Sequence, residues 1–190
     1  MRALALSLFV SALWISTTVA QDSAVAKPYE SDDAYQIYSL LLPQEESYSF
    51  AKSTLIIQEE TASNAAVEGA CLSSEMAIRF KGAISDYRRS QTMKWHLQRQ
   101  FQIEKPYEIV GKETIALLLK GGWDGYSDQY PQSGGYIFVS AVGFNKNKTL
   151  AIVYTGSICG GLCGWAQFHL LEKVQGHWRE VPAATCVTVS

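Results

Sequence analysis

Histidine is scarce in this chain of 190 residues: His96, His169 and His177 are all it has. No serine sits in a Gly-x-Ser-x-Gly elbow, and Gly156-Ser157-Ile158-Cys159-Gly160 matches one only superficially, so a hydrolytic triad has little to stand on. An excess of one charge is lacking too. Acids outnumber bases by 18 to 16, which leaves a formal charge of −2 and no general pull toward nucleic acid or anionic membrane. Long apolar runs are missing after the first twenty residues; pieces such as Ile115–Leu119 and Leu150–Tyr154 fall far short of the ~20 residues a spanning helix needs. The absence of an internal repeat or low-complexity tract excludes a solenoid. What is present is the composition of a folded protein, with 47% apolar, 18% charged and 12% aromatic residues, so disorder is excluded as the main state.

The first twenty residues read as an address. Met1 and Arg2 supply a positive start, Ala3 to Ile15 are apolar and uncharged, and Ser16 to Ala20 are small or polar, the pattern of a secretory signal peptide. Thr18-Val19-Ala20 places cleavage before Gln21, with Ala24-Val25-Ala26 as the second choice; an uncleaved membrane anchor is the alternative. No cysteine stands directly after the cleavage point to carry a lipid. The expectation is a free, soluble protein, secreted or periplasmic, with no membrane insertion after signal removal. Its mature length is enough for one hydrophobic core. The predicted organisation is a signal peptide over 1–20, a flexible lead-in over 21–30 and a single domain over 31–190.

Charge is segregated along the chain. Ten acids stand against Lys27 and Lys52 between Asp22 and Glu75, and seven bases against Asp86 and Glu104 between Arg79 and Lys105. Two solvated faces that neutralise each other within one fold are the plainer reading, and a bipolar surface that docks an oppositely charged partner is the alternative. Ser31 as N-cap, Asp32 and Asp33 in the first turn, and Ala34, Ile37, Tyr38 and Leu41 at helical spacing predict a helix over 32–42, stopped by Pro43. Leu55-Ile56-Ile57 reads as a strand and 61–69 as a loop. Met76, Phe80, Ile84 and Tyr87 predict a helix over the second half of 73–91, with Gly82 weakening the first half. The segment 92–106 fits a strand or a helix.

From Tyr107 onward the chain reads as β-structure. Strands are predicted over 107–110, 114–120, 136–144, 150–157, 165–174 and 177–181, with a glycine-rich loop after the second. Asn145-Lys146-Asn147-Lys148 forms a hairpin turn and Gln175-Gly176 a two-residue turn. Asn147-Lys148-Thr149 also matches a glycosylation acceptor, which in a bacterial chain means only a turn. Helices before and an antiparallel meander after predict an α+β fold with N-terminal helices on a C-terminal sheet, similar to the cystatin/NTF2-like cone.

Four cysteines in an exported chain predict two disulfides. Four thiols permit three pairings. Three glycines around Cys159 and Cys163 let the backbone turn tightly enough to join those two at a hairpin tip, which leaves Cys71 with Cys186. In the chain-entropy view the small loop contributes about 2 kcal/mol and the large one about 5. A redox site in the small loop and a zinc site using Cys159, Cys163 and His169 or His177 are the sharper alternatives; the spacing is Cys-x-x-x-Cys, and an oxidising compartment competes for the thiols. No cofactor is expected. His169 could act as a general base near Cys163 or be an ordinary hydrogen-bonded sheet histidine.

One set of motifs carries a resemblance. Gly135 to Asn145, Thr149 to Tyr154, Cys159-Gly160-Gly161-Leu162-Cys163-Gly164, Leu170-Leu171-Glu172-Lys173 and Gly176-His177-Trp178 cover about a third of the mature chain. Together they resemble a group of uncharacterised exported bacterial proteins whose pattern is strand, hairpin, Cys-Gly-x-Leu-Cys-Gly tip, strand and a closing Gly-x-Trp. This chain departs from the group at Trp165 and Ala166, where the group usually continues with glycine and a small residue. The resemblance implies a fold and a compartment and adds nothing about catalysis.

The candidate site is the glycine-rich segment. Asp124 and Asp128 lie among Trp123, Tyr126, Tyr130 and Tyr136, and rings beside carboxylates suit a sugar or a peptide. The spacing lacks the ligands of a calcium-binding EF-hand loop, and aromatics capping the core are the plainer reading. The leading functional expectation is a small binding or interaction module of the cell envelope or exterior. The alternatives are a hydrolase working through Asp124 or Asp128 and a structural envelope component.

Overall fold

The computed structural model describes residues 26–45, 53–63, 72–181 and 187–189. Their elements, in chain order, are β1 (Lys27–Pro28), α1 (Asp32–Glu45), β2 (Leu55–Gln58), α2 (Ser74–Arg79), α3 (Lys81–Ser90), β3 (Trp95–His96) and β4 (Tyr107–Val110). Then follow α4 (Lys112–Leu119), α5 (Trp123–Gln129), β5 (Tyr136–Val139), β6 (Gly143–Phe144), β7 (Leu150–Gly160), β8 (Cys163–Val174), β9 (His177–Glu180) and β10 (Val187–Val189).

The long antiparallel hairpin of β7 and β8 is the spine of an eight-stranded sheet. β6 and β5 line the outer edge of β7 one after the other, while β9 and β10 line the outer edge of β8. Beyond β5 come β2 and then β4, and these three run parallel. Side chains alternate between the two faces of a strand. Leu55, Ile57, Ile137, Val139 and Val153 therefore meet α1 and the 95–101 segment on one face. On the other, Ile152, Phe168 and Leu170 meet α2 and α3, while Ile56 and Val110 meet α4 and α5.

The α+β class holds, but its expected division does not. The sheet is mixed, and α4 and α5 lie between β4 and β5 in the second half of the chain, because parallel strands need a crossover rather than a tight turn. The strand predicted over 114–120 is helix α4: Ile115 to Leu119 is apolar without alternation, and leucine and alanine are strong helix formers. The predicted glycine-rich loop contains α5. There Gly125 serves close packing, since a Cβ at this position would stand 2.9 Å from the carbonyl oxygen of Leu118. The predicted strand over 136–144 is interrupted at Ser140, which bonds Tyr154 through both its backbone N–H and its hydroxyl.

Further upstream, α1 is capped as expected, with Ala34 N–H donating to Ser31 Oγ at 3.3 Å. It runs past Pro43 because that residue falls in the last turn, where its missing N–H forfeits a single helical bond. The 73–91 region holds two helices rather than one, breaking at the fully buried Phe80, while Gly82 sits inside α3. In 92–106 only β3 is regular, yet Leu97 and Phe101 are buried. The lead-in joins the fold from Lys27: β1 pairs in parallel with β3, and the Tyr29 hydroxyl accepts from Val142 N–H at 2.9 Å. Both predicted turns form, with positive φ at Lys148, Gln175 and Gly176. The predicted signal peptide lies outside the described residues. No helix among the described residues is long and apolar enough to cross a membrane.

Candidate functional site

The five residues singled out in the sequence fall on one helix and its cap. Trp123, Asp124, Tyr126 and Asp128 belong to α5, and Tyr130 follows as its C-cap. The rings turn inward. Tyr126 is buried over Ile56, Val110 and Ile115, with the Trp123 ring 5.2 Å and the Tyr130 ring 5.3 Å away. Trp123 also stacks on Tyr136 at 6.5 Å and 18°. Asp124 and Asp128 are exposed, so the helix separates the carboxylates from the rings instead of pairing them. Burial pushes the Tyr126 hydroxyl far up, beyond any physiological ionisation, and its nearest polar partner is Ser133 Oγ at 3.4 Å.

Tyr130 alone of the five borders a described cleft. The opening, of about 170 Å³, is lined by Thr54, Ile56, Glu108, Gln129 and Tyr130 together with Pro131, Gln132 and Ser133. It forms because β2 and β4 run parallel and in register, which sets Glu108 opposite Ile56, while Thr54 N–H ties the start of β2 to the Gln132 carbonyl at 3.0 Å. Burial raises the Tyr130 hydroxyl above its ordinary range, and the nearby Glu108 charge raises it further. The cleft thus offers an aromatic face, a neutral phenol, hydroxyls, amides and a carboxylate. Pockets that hold drug-sized ligands measure roughly 300–1,000 Å³, so this smaller space suits one sugar ring or one peptide side chain. Thr54, Glu108 and Gln132 escaped the sequence reading because only the β2–β4 register and the Thr54 N–H bond to the Gln132 carbonyl bring them together.

A second polar constellation lies within the sheet. His169 sits between Glu180, whose Oε1 is 2.7 Å from Nδ1, and Thr155, whose Oγ1 is 2.8 Å from Nε2. The order carboxylate, imidazole, hydroxyl resembles a catalytic relay, yet Thr155 and His169 are both buried and present no hydroxyl to a substrate. The chain of bonds instead stitches β7, β8 and β9 together. His169 is six residues along β8 from Cys163, about 20 Å in an extended strand, so it is no base for that sulfur.

Cys159 and Cys163 form a disulfide at the β7–β8 tip, with Cα atoms 5.1 Å apart. The zinc alternative is not assembled, since both sulfurs are bonded to each other and His169 and His177 lie well down the hairpin. No metal-holding group of His, Cys, Asp and Glu occurs among the described residues. Cys71 and Cys186 lie outside the described residues. No protein family, curated protein or solved structure matches the chain.

Proposed function

We propose that this protein is an exported binding module that takes one uncharged sugar ring or peptide side chain in the cleft beside Tyr130. The observation that carries the reading is the composition of that cleft: a part-exposed ring faces hydroxyl, amide and carboxylate groups held on rigid strands and a helix cap. Rings take the apolar face of a sugar while oxygen atoms take its hydroxyls. The leader-like first twenty residues and the resemblance to exported bacterial proteins support an encounter outside the cytoplasm, in the envelope or beyond. The hydrolase alternative draws no support from Asp124 and Asp128, which stand on the exposed side of α5 and do not line the cleft.

The test is calorimetric titration against neutral and N-acetylated oligosaccharides and short peptides. Saturable binding that Tyr130→Ala abolishes and Glu108→Gln weakens is the expected result, with a cooperative urea transition kept in both and a lowered midpoint only in Tyr130→Ala, whose ring packs on Tyr126. Absence of saturable binding to every probe, or binding that Tyr130→Ala leaves intact, overturns the proposal.

A further inference from the structure

We propose that the free edge of β4 takes an extended peptide as a ninth strand of the sheet, with a lysine or arginine side chain of that peptide seated beside Glu108. The inference rests on the cleft reading above and commits it to peptide rather than sugar. β4 is the last strand in sheet order, paired with β2 on one side and with no described strand on the other. Leu55 N–H donates to the Pro106 carbonyl at 2.9 Å and Glu59 N–H to the Val110 carbonyl at 2.8 Å, so the carbonyls at 106 and 110 face β2. By alternation along a parallel ladder, Tyr107 and Ile109 turn both N–H and C=O outward.

That outward row repeats every two residues, about 6.6 Å. An extended backbone matches such a spacing of donors and acceptors, and a sugar ring does not. Natural sheets blunt their edges with proline, lysine or a bulge, yet β4 contains none of these and its register with β2 is unbroken. One guard is present. Arg99 donates to the Tyr107 carbonyl, but at 3.4 Å and from an exposed side chain, a bond readily exchanged for a better one.

Charge decides the occupant. A second copy pairing antiparallel through all the outward groups sets Tyr107 against Ile109 and Glu108 against Glu108, like charges directly opposed. A foreign strand in the same register places one residue opposite Glu108 in a non-hydrogen-bonded pair, where side chains approach most closely. That side chain points to the same face as Glu108 and so toward the cleft beside Tyr130. Glu108 is exposed, and no Lys, Arg or His lines the cleft with it. The helix α5, which supplies Gln129, also carries the exposed Asp124 and Asp128. A basic side chain lays its apolar stem along the Tyr130 ring and brings its charge to the carboxylate.

The experiment is calorimetric titration with the peptide acetyl-Val-Thr-Lys-Thr-Val-amide, for which saturable binding is expected. Methylating both threonine nitrogens removes the donors aimed at β4 and should weaken binding at least about tenfold, whereas methylating the lysine nitrogen, which points away from β4, should change it less than about twofold. Glu108→Lys should weaken binding about fivefold, and a peptide with glutamate in place of lysine should bind this variant better than it binds the native protein. Glu108 is exposed, so the variant keeps its fold. No binding of the peptide, equal loss from the two methylation patterns, or an unchanged preference for lysine in Glu108→Lys each overturns the proposal, as does a dimer in sedimentation equilibrium that excludes the peptide. Tyr130→Ala tells this inference from the reading it rests on. Sugar binding that Tyr130→Ala abolishes, with no peptide bound, overturns the peptide edge alone, whereas peptide binding that it leaves intact overturns both.

Discussion

Gly143 has no room for a side chain. A Cβ there would stand 2.4 Å from the Ala83 carbonyl oxygen and 2.5 Å from both the backbone nitrogen and Cβ of Tyr87, so α3 rests directly on β6. Neither neighbour is the far end of a flexible chain, and one of the two must move. Gly143→Ala is expected to cost about 1–3 kcal/mol of stability, the range for overpacking a core. Urea unfolding checks this as a lowered midpoint with an unchanged slope. The sequence names Gly143 without disclosing this role, because the constraint comes from a helix more than fifty residues upstream.

Among the elements, α1 is fastened to the β8–β9 hairpin through Asp33. Burial pushes its carboxyl up, but hydrogen bonds from Lys173 and from Trp178 Nε1, with the charges of Lys173 and Lys148, outweigh burial and hold it below the ordinary range. Glu172, on the neighbouring strand position, is lowered by hydrogen bonds from Arg179 and Arg79. Both groups bind protons less readily in the folded chain than in the unfolded one. The stability they contribute is thus complete above the unfolded carboxylate pKa of about 4 and is lost as pH falls through the lower folded values. The urea midpoint should therefore drop between about pH 5 and pH 2, and an Asp33→Asn, Glu172→Gln variant should show a shallower drop. An equal slope in both proteins would show that other groups govern acid unfolding.

At this same scale the hairpins were legible and the crossovers were not. Alternation and turn chemistry marked β7, β8 and β9, since each has one local solution. Ile115 to Leu119 has no alternation to read, and its helical state is imposed by the need to return from β4 to a parallel β5. Gly125 looks like loop chemistry until Leu118 lies against it.

For the molecule as a whole, covalent state is the first property to fix. If the expected export takes place, intact mass before and after reduction with alkylation should show a chain beginning at Gln21 that takes up four alkyl groups only after reduction. Uptake without reduction would mean free thiols and would remove the second predicted bridge. The candidate site was half legible: Tyr130 stood out as an aromatic in a glycine-rich stretch, whereas Thr54 and Glu108 carry no local signal and reach the cleft through sheet order alone.

That sheet order also sets a timetable. β2 lies between β4 and β5, both of which come later in the chain, and it joins the β7–β8 spine only through β5. The hairpin can close from neighbouring residues, but β2, which can meet β4 earlier, reaches the spine only once β5, some eighty residues downstream, has been made. Such distant pairings close slowly because chain entropy is lost before contacts form. The face of the core that α1 and β2 share is thus complete only when the second half of the chain is present.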